Sequence, residues 1–595
     1  MAPLEPQRRT NTGQRITVIV AALLAVLPIL LTGPSCGHDF DFHVLSWLEA
    51  SSQFAHLHYP HWAFTPAWNA GEPRFIFYPP LSWTLGALLG MILPWKLVPA
   101  AFTFIALSLS GLTARSLALR YVGANAATLA AVLYLANPYM LFTAYERTAY
   151  GELLAAALLP LLVGAALAPR IHILPLAIPI ALLWLTNAPA GVMGCYALAL
   201  LILIRLLLAT ESSNEPDPVP CVSTLRAGPA PTPRAPFIPR WPLTMSRNPR
   251  LYLALNTLAA TTLGLALSAF YLLPAALERK SIQSDMAVIE GMRIADNTLF
   301  HHMPPSPDHF AHDVVLHTAS VVTIILLAGI AIFALPSLRR RKAAVPLLLL
   351  TLVIAILLTP IALPVWAHTP ELRFLQFPWR LDALLGVILS LTAALVLSRV
   401  AALDHLKPVR AAFIPILLSI LLTAPAWIIF HQECDLEDTV PARVALFHSN
   451  LGAEPTDEYT PANADNDALK HGDPPYWLVK VSTSGEAPNI AAPTGAMPGR
   501  APTHLVLHLT RPEILILNLR AFPDWQIRLN GQPTALLGRD DGLIALQLGP
   551  GEQTIDVHYH RPLDQTAGLA ISALACFSTL ALARKRITRQ LKGPR

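Results

Sequence analysis

Charged residues are scarce in this chain of 595 residues: Asp, Glu, Lys and Arg make up only 13%, whereas hydrophobic residues make up 54%. Soluble domains carry about 25% charged residues, so this composition excludes a soluble globular protein. The formal net charge of +5 is small, and the basic residues cluster in short loops, so no nucleic-acid partner is expected. The composition predicts a protein that crosses a lipid bilayer many times.

Cysteine is also rare: the chain has 5, and no two of them have the spacing of a metal-ligand pair. Cys36 and Cys434 both fall in segments expected outside the membrane, so a disulfide between them stays open. Charged residues do not recur through the middle of the apolar segments, where an ion-coupled transporter usually needs them. A transporter is therefore the weakest of the functions considered.

Long apolar segments are what the sequence has in abundance. The first, at 16–31, follows a basic N-terminus and is expected to be an uncleaved anchor. Together the segments predict about 12–13 hydrophobic helices of bilayer-spanning length. The others lie near 75–95, 97–116, 121–136, 150–168, 171–187, 190–208, 251–273, 315–336, 345–366, 380–399, 411–430 and 566–583.

The distribution of Arg and Lys predicts which loops are cytoplasmic. If the basic loops all face the cytoplasm, the segments from 97 onward alternate without conflict. The stretch 75–95 then cannot be a full crossing, and we expect it to lie along the outer interface or to re-enter. Both termini are expected in the cytoplasm. The basic loops are those near 115–120, 209–250, 339–342, 399–410 and 584–586.

This topology divides the chain into three parts. Residues 1–430 are expected to form a multi-span membrane domain with a first outer loop at 34–96. Its loop at 209–250 is rich in Pro and Arg and is expected to be a cytoplasmic linker. Residues 431–565 are expected to form a domain outside the membrane. Residues 566–595 are expected to form the last transmembrane helix and a basic cytoplasmic tail.

The segment 431–565 differs in kind from the rest of the chain because it is polar. Apolar and polar residues alternate in runs such as 504–509, and 514–519 is a second β-type run. Asn530 and Gly531 form a two-residue hairpin signal. These patterns predict a small β-sandwich before the last transmembrane helix.

Two carboxylates and two imidazoles lie close together directly after the first apolar segment: His38, Asp39, Asp41 and His43. Alternate residues of an extended chain share a face, so Asp39, Asp41 and His43 are expected to converge on one ligand. A carboxylate there can take a proton from a hydroxyl or bind a divalent cation that holds a phosphate. The alternative is an ordinary solvated loop, but ionisable groups at a membrane edge favour a functional site.

A second histidine group follows at His56, His58 and His61. The His-Leu-His spacing is compatible with zinc, but no clear fourth ligand accompanies it. Histidines beside aromatic residues are also common at membrane interfaces. Both interpretations stay open for this group.

Two further motifs on the outer side combine arginine with polar or aromatic neighbours. Arg147 and Glu152 are expected near the N-terminus of a helix, where a lipid phosphate can bind. Arg373, Gln376 and Arg380 lie among aromatic residues, and guanidinium groups there suit a phosphate-bearing headgroup. The alternatives are an interfacial salt bridge for the first motif and snorkelling arginines in an aromatic belt for the second.

Several of these stretches resemble a family of bacterial membrane proteins described as 6-pyruvoyl-tetrahydropterin synthase-related. The resemblance lies in Gly-His-Asp-Phe-Asp-Phe-His at 37–43, Gly-Glu-Pro-Arg-Phe at 71–75, Tyr-Glu-Arg-Thr-Ala-Tyr-Gly-Glu at 145–152, Gln-Phe-Pro-Trp-Arg at 376–380 and Phe-Pro-Asp-Trp at 522–525. The zinc-binding histidines that the name implies cannot be mapped here beyond His56 and His58. The resemblance implies the cytoplasmic (inner) membrane of a bacterium.

The wider architecture is similar to that of the GT-C glycosyltransferases, which are polytopic enzymes with a carboxylate in the first outer loop and polyprenyl-phosphate sugar donors. The resemblance implies that Asp39 or Asp41 is the base, or the acid associated with a divalent cation if there is one. It implies that Arg147, Arg373 and Arg380 meet the donor phosphate. The polyprenyl tail would lie in an apolar groove.

These observations together predict a membrane glycosyltransferase. It would transfer a sugar from a polyprenyl-phosphate donor to a glycan or other hydroxyl acceptor outside the cytoplasm, and the leaving phosphate would need charge compensation. The alternative is a non-enzymatic carrier or assembly protein for lipid-linked glycans, with a β-domain that binds polysaccharide. The expected partners are the bilayer, the donor and the acceptor.

Overall fold

The computed structural model describes residues 5–208, 248–338, 344–369, 371–400, 403, 406–481, 492–493 and 495–591. The expected linker at 209–250 therefore lies outside the described residues, except for its last three positions. Within the described residues, nine helices are long and apolar enough to cross a membrane, or ten if one bent pair counts as a crossing. Three shorter apolar helices bring the number of hydrophobic helices to the expected 12–13, but these three are shorter than the predicted spanning length. The prediction of a polytopic α-helical protein is confirmed.

The helices are numbered in chain order. The first half holds α1 (Glu5–Thr32), α2 (Phe40–Ala55), α3 (Arg74–Phe77), α4 (Pro80–Ile92), α5 (Val98–Ala118), α6 (Ala124–Leu135), α7 (Pro138–Tyr145), α8 (Tyr150–Ala156), α9 (Leu159–Ala166), α10 (Ile173–Thr186) and α11 (Ala188–Leu208). The second half holds α12 (Pro249–Leu267), α13 (Ala269–Leu277), α14 (Pro307–Leu338), α15 (Ala344–Leu357), α16 (Leu363–His368), α17 (Asp382–Leu397), α18 (Pro408–Phe430), α19 (Val440–His448) and α20 (Leu563–Leu591).

Some apolar segments are shorter or more bent than their sequence length suggests. The pair Val345–Leu357 and Pro360–His368 is bent by 90°, and a proline begins the second half, where it removes a backbone donor. Helix α10 has 14 residues and α4 has 13. At 1.5 Å per residue each is about 20 Å long, shorter than the roughly 30 Å hydrocarbon core. That the stretch 75–95 does not cross the membrane stays a prediction.

Two of the long helical segments form the centre of the bundle. Ala124–Tyr145 and Pro378–Leu397 are each 89% buried inside the protein, whereas the segment of α12 is only 11% buried. One end of each central segment carries an arginine motif, because Arg147 follows the first segment and Arg380 lies at the start of the second. The packing of these two helices therefore brings two distant motifs to one place.

The polar segment before α20 forms two antiparallel sheets, as expected for a β-sandwich. One sheet has the order β1-β3-β6 and the other has the order β2-β7-β4-β5. The strands are β1 (Tyr476–Lys480), β2 (His504–Leu509), β3 (Glu513–Arg520), β4 (Trp525–Leu529), β5 (Gln532–Pro533), β6 (Leu543–Leu548) and β7 (Gly551–Tyr559). Asn530 and Gly531 both have positive φ, 53° and 81°, and join β4 to β5 in the predicted hairpin.

Strand β3 is buried on both faces and connects the sandwich to the first outer loop. Leu515 and Leu517 share a core with residues of the second sheet, whereas Ile514 and Ile516 share a core with Ala67 of the loop. Successive side chains of a strand point to opposite faces, so one strand can serve both contacts. The β-domain therefore supports the loop that carries the candidate site.

The junction between the β-domain and α20 contains a buried carboxyl group. Glu278 is 8% exposed, and its Oε1 accepts a hydrogen bond from Gln565 Nε2 at 3.0 Å. Burial, together with the negative charge of nearby Asp524, raises the pKa of Glu278 to about 8. The proton on this group therefore stabilises the folded state fully below the ordinary pKa of 4.5, and that contribution is lost as the pH rises to 8.

Glu278→Gln is expected to raise the stability at pH 8 and to remove part of the pH dependence between pH 5 and 8. A single group of this kind contributes a slope of at most about 1.4 kcal/mol per pH unit. Thermal unfolding of the purified protein in detergent across that range measures it. The matched control is Glu290→Gln at an exposed position, and equal pH profiles for the two variants would contradict the assignment.

Candidate functional site

The first carboxylate pair begins a helix instead of lying on an extended chain. Asp39 is the residue before α2, and the His43 backbone N–H donates to its carbonyl oxygen at 3.2 Å. In a helix of 3.6 residues per turn, Asp41 points about 200° away from Asp39. The prediction that Asp39, Asp41 and His43 converge on one ligand is therefore wrong. Asp39 does not cap the helix with its side chain, which faces Arg147 instead.

Asp39 is the exposed end of a chain of charges that runs into the protein. Arg147 Nη2 lies 3.6 Å from Asp39 Oδ2, and Arg147 Nη1 lies 2.6 Å from Glu152 Oε2. The same Glu152 oxygen lies 3.3 Å from Arg380 Nε, and the Tyr139 hydroxyl donates to Glu152. The Asp39 side chain is 40% exposed, whereas those of Arg147 and Glu152 are 5% and 3% exposed.

Aromatic rings and backbone oxygens hold the two arginines in place. Arg147 lies over the Trp379 ring at 4.7 Å, and Arg380 lies over the Phe377 ring at 4.9 Å. Arg380 Nη1 donates to the Leu375 carbonyl at 2.7 Å. Such contacts fix the planes of both guanidinium groups. The two guanidinium groups are therefore fixed in position beside the Glu152 carboxylate before any substrate binds.

The structure bears on only part of the predicted phosphate-binding group of Arg373, Gln376 and Arg380. Gln376 accepts from Arg380 Nη1 at 3.2 Å and donates to the Ala287 carbonyl at 2.6 Å, so both ends of its amide are engaged within the protein. Arg373 lies in the short turn Leu372–Leu375, but its side chain is outside the described residues. The phosphate-binding role expected for Arg373 stays a prediction.

Close backbone contacts lock the segment before Asp39 against the segment before Glu152. A Cβ on Gly37 would lie 2.0 Å from the Glu146 carbonyl oxygen, so only glycine fits there. The Asp39 N–H donates to the Arg147 carbonyl at 3.0 Å. Thr148 has φ of 48°, a left-handed conformation that is strained for a β-branched residue. Strain of this kind concentrates at functional sites and persists only where the surroundings enforce it.

A disulfide secures the same segment from the other side. Cys36 and Cys434 are bonded, with their Cα atoms 4.9 Å apart, so the structure forms the pairing that the sequence left open. The Ser35 hydroxyl donates to the Tyr145 carbonyl at 2.6 Å, and it accepts from the Gln432 N–H at 2.8 Å. The first outer loop is thus held between the ends of two transmembrane helices.

Asp41 belongs to a separate polar cavity. It lies 3.9 Å from Arg443 Nη2, and Arg443 also pairs with Asp438. The cavity has a volume of about 360 Å³. It is lined by Cys36, Gly37, His38, Phe40, Asp41, Gln432, Asp438 and Arg443. The two carboxylates of the motif therefore face two different arginines, and sequence reasoning missed Arg443 because it lies about 400 positions away.

The two predicted histidines are not equivalent. His43 is 1% exposed and packs against the rings of Tyr78 and Tyr150, so a substrate cannot reach it in this state. Burial lowers its pKa to about 4. His38 is exposed and lines the cavity. Loss of hydration around its ring lowers its pKa too, against the opposite effect of Asp39 and with a smaller contribution from Arg147. The positive charge of the site therefore comes from the arginines.

A buried ion pair that sequence reasoning missed clamps α2 to the β-domain side. Arg74 Nε lies 2.8 Å from Glu72, and Arg74 also donates to Ser46 on α2 and to Thr456, both at 2.9 Å. Its guanidinium carbon lies 4.3 Å from the Phe42 ring centre. The signal in the sequence was the pair of opposite charges in Gly-Glu-Pro-Arg-Phe, inside an aromatic loop. This pair holds α2, and with it Asp39, in one orientation.

A second missed contact holds the middle of α2. Glu49 is 2% exposed, and Arg500 Nη2 lies 3.4 Å from its Oε1. Arg500 also donates to Thr65 at 2.7 Å. Burial raises the pKa of Glu49, against the opposite effect of Arg500. The β-domain thus reaches the helix that carries the site through a long arginine side chain.

The geometry does not fit a divalent cation at the Asp39–Asp41 pair, because the two carboxylates are turned to different arginines. In the part of the chain that the structure describes, no three His, Cys, Asp or Glu side chains are grouped closely enough to hold a metal ion. His56 contacts the Ser52 carbonyl, and His61 packs on the Tyr559 ring. The zinc interpretation of the second histidine group therefore finds no ligand set there.

No family model matches the chain, and no curated protein matches it in sequence. Solved structures that it resembles include the oligosaccharyltransferase of Archaeoglobus fulgidus in the apo form, at 14% identity and a TM-score of 0.39 over 70% of this chain and 55% of that chain. Another is AglB of the same organism with an inhibitory peptide and a dolichol-phosphate, at 15% identity and a TM-score of 0.39 over 74% and 56%.

A third structure is the mycobacterial arabinofuranosyltransferase AftD, at 14% identity and a TM-score of 0.39 over 93% of this chain and 42% of that chain. The chain spans about half the length of the structures it matches. These structures are described as oligosaccharyltransferases and an arabinofuranosyltransferase, and the resemblance concerns the fold alone. The pterin-related family suggested by the short motifs is not matched and stays an expectation.

Proposed function

We propose that this protein is a membrane glycosyltransferase that transfers a sugar from a polyprenyl-phosphate donor to a hydroxyl acceptor on the outer side of the cytoplasmic membrane. The observation that carries the proposal is the exposed carboxylate of Asp39, 3.6 Å from the buried Arg147 at the outer end of a central helix. An exposed base backed by buried cations suits a reaction in which a hydroxyl loses a proton and a phosphate leaves.

The charges of the network support this chemistry. Arg147 and Arg380 carry two positive charges, and the buried Glu152 balances one of them. Asp39 balances the other while it is ionised. When Asp39 accepts the proton of the acceptor hydroxyl, the network gains one net positive charge. That charge develops as the leaving phosphate becomes more negative, so the site favours the transition state over the ground state.

The bond changes follow from these roles. The acceptor oxygen forms a bond to the anomeric carbon and gives its proton to Asp39. The bond between that carbon and the phosphate oxygen breaks, and the electron pair stays on the phosphate. The two arginines stabilise the phosphate through their field, since both are largely buried. The bonds and the proton of this step are accounted for by the acceptor, the donor and Asp39.

A lipid-linked donor is proposed because the site lies where helices end and aromatic residues gather. Arg147 follows one central transmembrane segment, and Trp379 begins another. Rings such as Trp and Tyr lie at the headgroup level of a bilayer, where a polyprenyl phosphate presents its phosphate. A soluble nucleotide-sugar donor would not need a site at this depth.

The outer side is proposed on two grounds. The alternation of the basic loops supports a site on the side opposite the cytoplasm. The disulfide at Cys36 lies three positions from Asp39, and disulfides persist in oxidising compartments such as the periplasm. We therefore propose a bacterial inner-membrane protein with both termini in the cytoplasm and the β-domain outside.

The test uses a strain that lacks the gene for this protein, because such a strain should accumulate both the lipid-linked sugar donor and the unmodified acceptor. Purified protein in liposomes is incubated with the lipid and glycan extracts of that strain, and mass spectrometry follows both pools. We expect one glycan to gain the mass of a single sugar while a polyprenyl-phosphate sugar loses it. If the protein binds the lipid fraction but no mass changes in either pool, the carrier or assembly function replaces the enzymatic one.

A further inference from the structure

A second cavity has a volume of about 440 Å³. It shares no lining residue with the polar cavity that holds Asp41, and neither Asp39 nor Arg147 lines it. We therefore treat it as a different site from the Asp39–Arg147 network. Its walls come from the first outer loop, α3, α13 and the start of α20.

The walls are largely aromatic and aliphatic. Phe75 and Phe270 line the cavity, and the hydroxyl of Tyr271 already donates to the Phe77 carbonyl at 2.8 Å. Leu569 of α20 completes one side and is 44% exposed. Rings and aliphatic side chains whose polar groups are engaged elsewhere favour an apolar occupant.

One cation at the cavity has no salt-bridge partner among the described residues. Arg561 lines the cavity and is exposed, and in the described part of the chain it forms no salt bridge or side-chain hydrogen bond. His61, on the same cavity, is held neutral: burial and the nearby charge of Arg561 lower its pKa to about 4. Glu278, which binds Gln565 of the same cavity, has a pKa of about 8 and is mostly uncharged at neutral pH.

The helices that form the cavity also carry exposed apolar side chains. Leu563 is 84% exposed and Leu277 is 53% exposed, and both belong to the helices that form the cavity. The helices themselves are closely packed, because a Cβ on Gly568 would lie 2.6 Å from the Ala269 carbonyl oxygen. An acyl chain can therefore enter from the bilayer side while a headgroup stays at the level of Arg561.

We propose that this cavity binds one anionic phospholipid of the outer leaflet, with an acyl chain against the aromatic walls and the phosphate on Arg561. The apolar walls and the uncompensated guanidinium together match a molecule that is apolar at one end and anionic at the other. The bound lipid would bridge the β-domain, the first outer loop and α20, which all contribute walls. It would act as a structural ligand, because neither Asp39 nor Arg147 lines the cavity.

The test measures lipid binding to the full-length protein, delipidated in detergent, by native mass spectrometry. Phosphatidylglycerol and diacylglycerol are titrated separately. We expect the wild type to bind one phosphatidylglycerol about tenfold more tightly than diacylglycerol, the size of one charge-assisted hydrogen bond. Arg561→Ala is expected to lose that preference, and Leu569→Trp is expected to weaken the binding of both lipids by filling the cavity.

Arg528→Ala is the matched control, because Arg528 is exposed on β4, away from the cavity. It should bind both lipids as the wild type does. Equal preference for phosphatidylglycerol in Arg561→Ala and the wild type would overturn the proposal. So would displacement of the lipid by millimolar inorganic phosphate, which indicates a free-anion site, or by equimolar polyprenyl phosphate, which indicates a donor site. None of these outcomes depends on sugar transfer.

Discussion

Replacement of Asp39 by Asn is expected to lower the rate of sugar transfer by about 10²- to 10⁴-fold, the usual contribution of a general base. Asn keeps the shape of the side chain but cannot accept the proton. Because the variant keeps the contacts that position donor and acceptor, kcat should fall while KM changes little. Initial rates with extracted donor and acceptor in liposomes measure both.

Asp41→Asn is the matched control, since Asp41 lies two positions away and is similarly exposed, at 47%. It faces Arg443 in the polar cavity and not Arg147, so we expect its rate to stay within about tenfold of the wild type, the equivalent of about 1.4 kcal/mol. Equal losses in the two variants would show that the carboxylates act together. An unchanged rate in Asp39→Asn, at normal protein level, would remove Asp39 from the mechanism.

The second large effect is expected from Arg147→Ala, which should lower the free energy of unfolding by about 3–5 kcal/mol, the usual cost of breaking a buried ion pair. The variant leaves Glu152, 3% exposed, with a weaker contact to Arg380 at 3.3 Å as its remaining counter-charge. Unfolding in mixed detergent micelles measures the change. Arg443→Ala is the control, because its partners are 47% and 34% exposed, and it should cost about 1 kcal/mol or less.

A double variant separates charge from packing. If the loss in Arg147→Ala comes from the uncompensated carboxylate, Arg147→Ala with Glu152→Gln should be more stable than Arg147→Ala alone, because the second change removes the buried charge. Additive losses in the double variant would instead assign the effect to the packing of Arg147 on Trp379. These stability measurements do not test the catalytic role of Asp39, which the transfer rate of Asp39→Asn tests.

The meeting of the charged motifs at one place could be predicted from the sequence alone. The pattern of basic loops placed Asp39, Arg147 and Arg380 on one side, and the structure joins them through Glu152. The grouping was predictable because charge distribution and span length are visible in a sequence, whereas the membrane face on which the motifs lie stays a prediction. The β-sandwich could also be predicted, because residue alternation and an Asn-Gly turn are local signals that a sequence shows directly.

The direction of each side chain could not be predicted in the same way. Alternating polar and aromatic residues at 38–43 are compatible with an extended chain and with the first turn of a helix, and the chain adopts the second. The clamps through Arg74 and Arg500 were missed because their partners lie on elements that only the fold brings together. The sequence did show a charged residue, Arg74, inside an aromatic loop, but it did not show that Thr456 is one of its partners.

The bond between Cys36 and Cys434 has a consequence for the time at which the site is completed. It joins positions that are 398 residues apart, so most of the chain must be synthesised before the first outer loop is secured. At roughly 5–20 residues per second, the wait is on the order of 20–80 s. The segment that carries Asp39 therefore matures late in assembly. Without oxidation of these two thiols, the segment that carries Asp39 would be held by its non-covalent contacts alone.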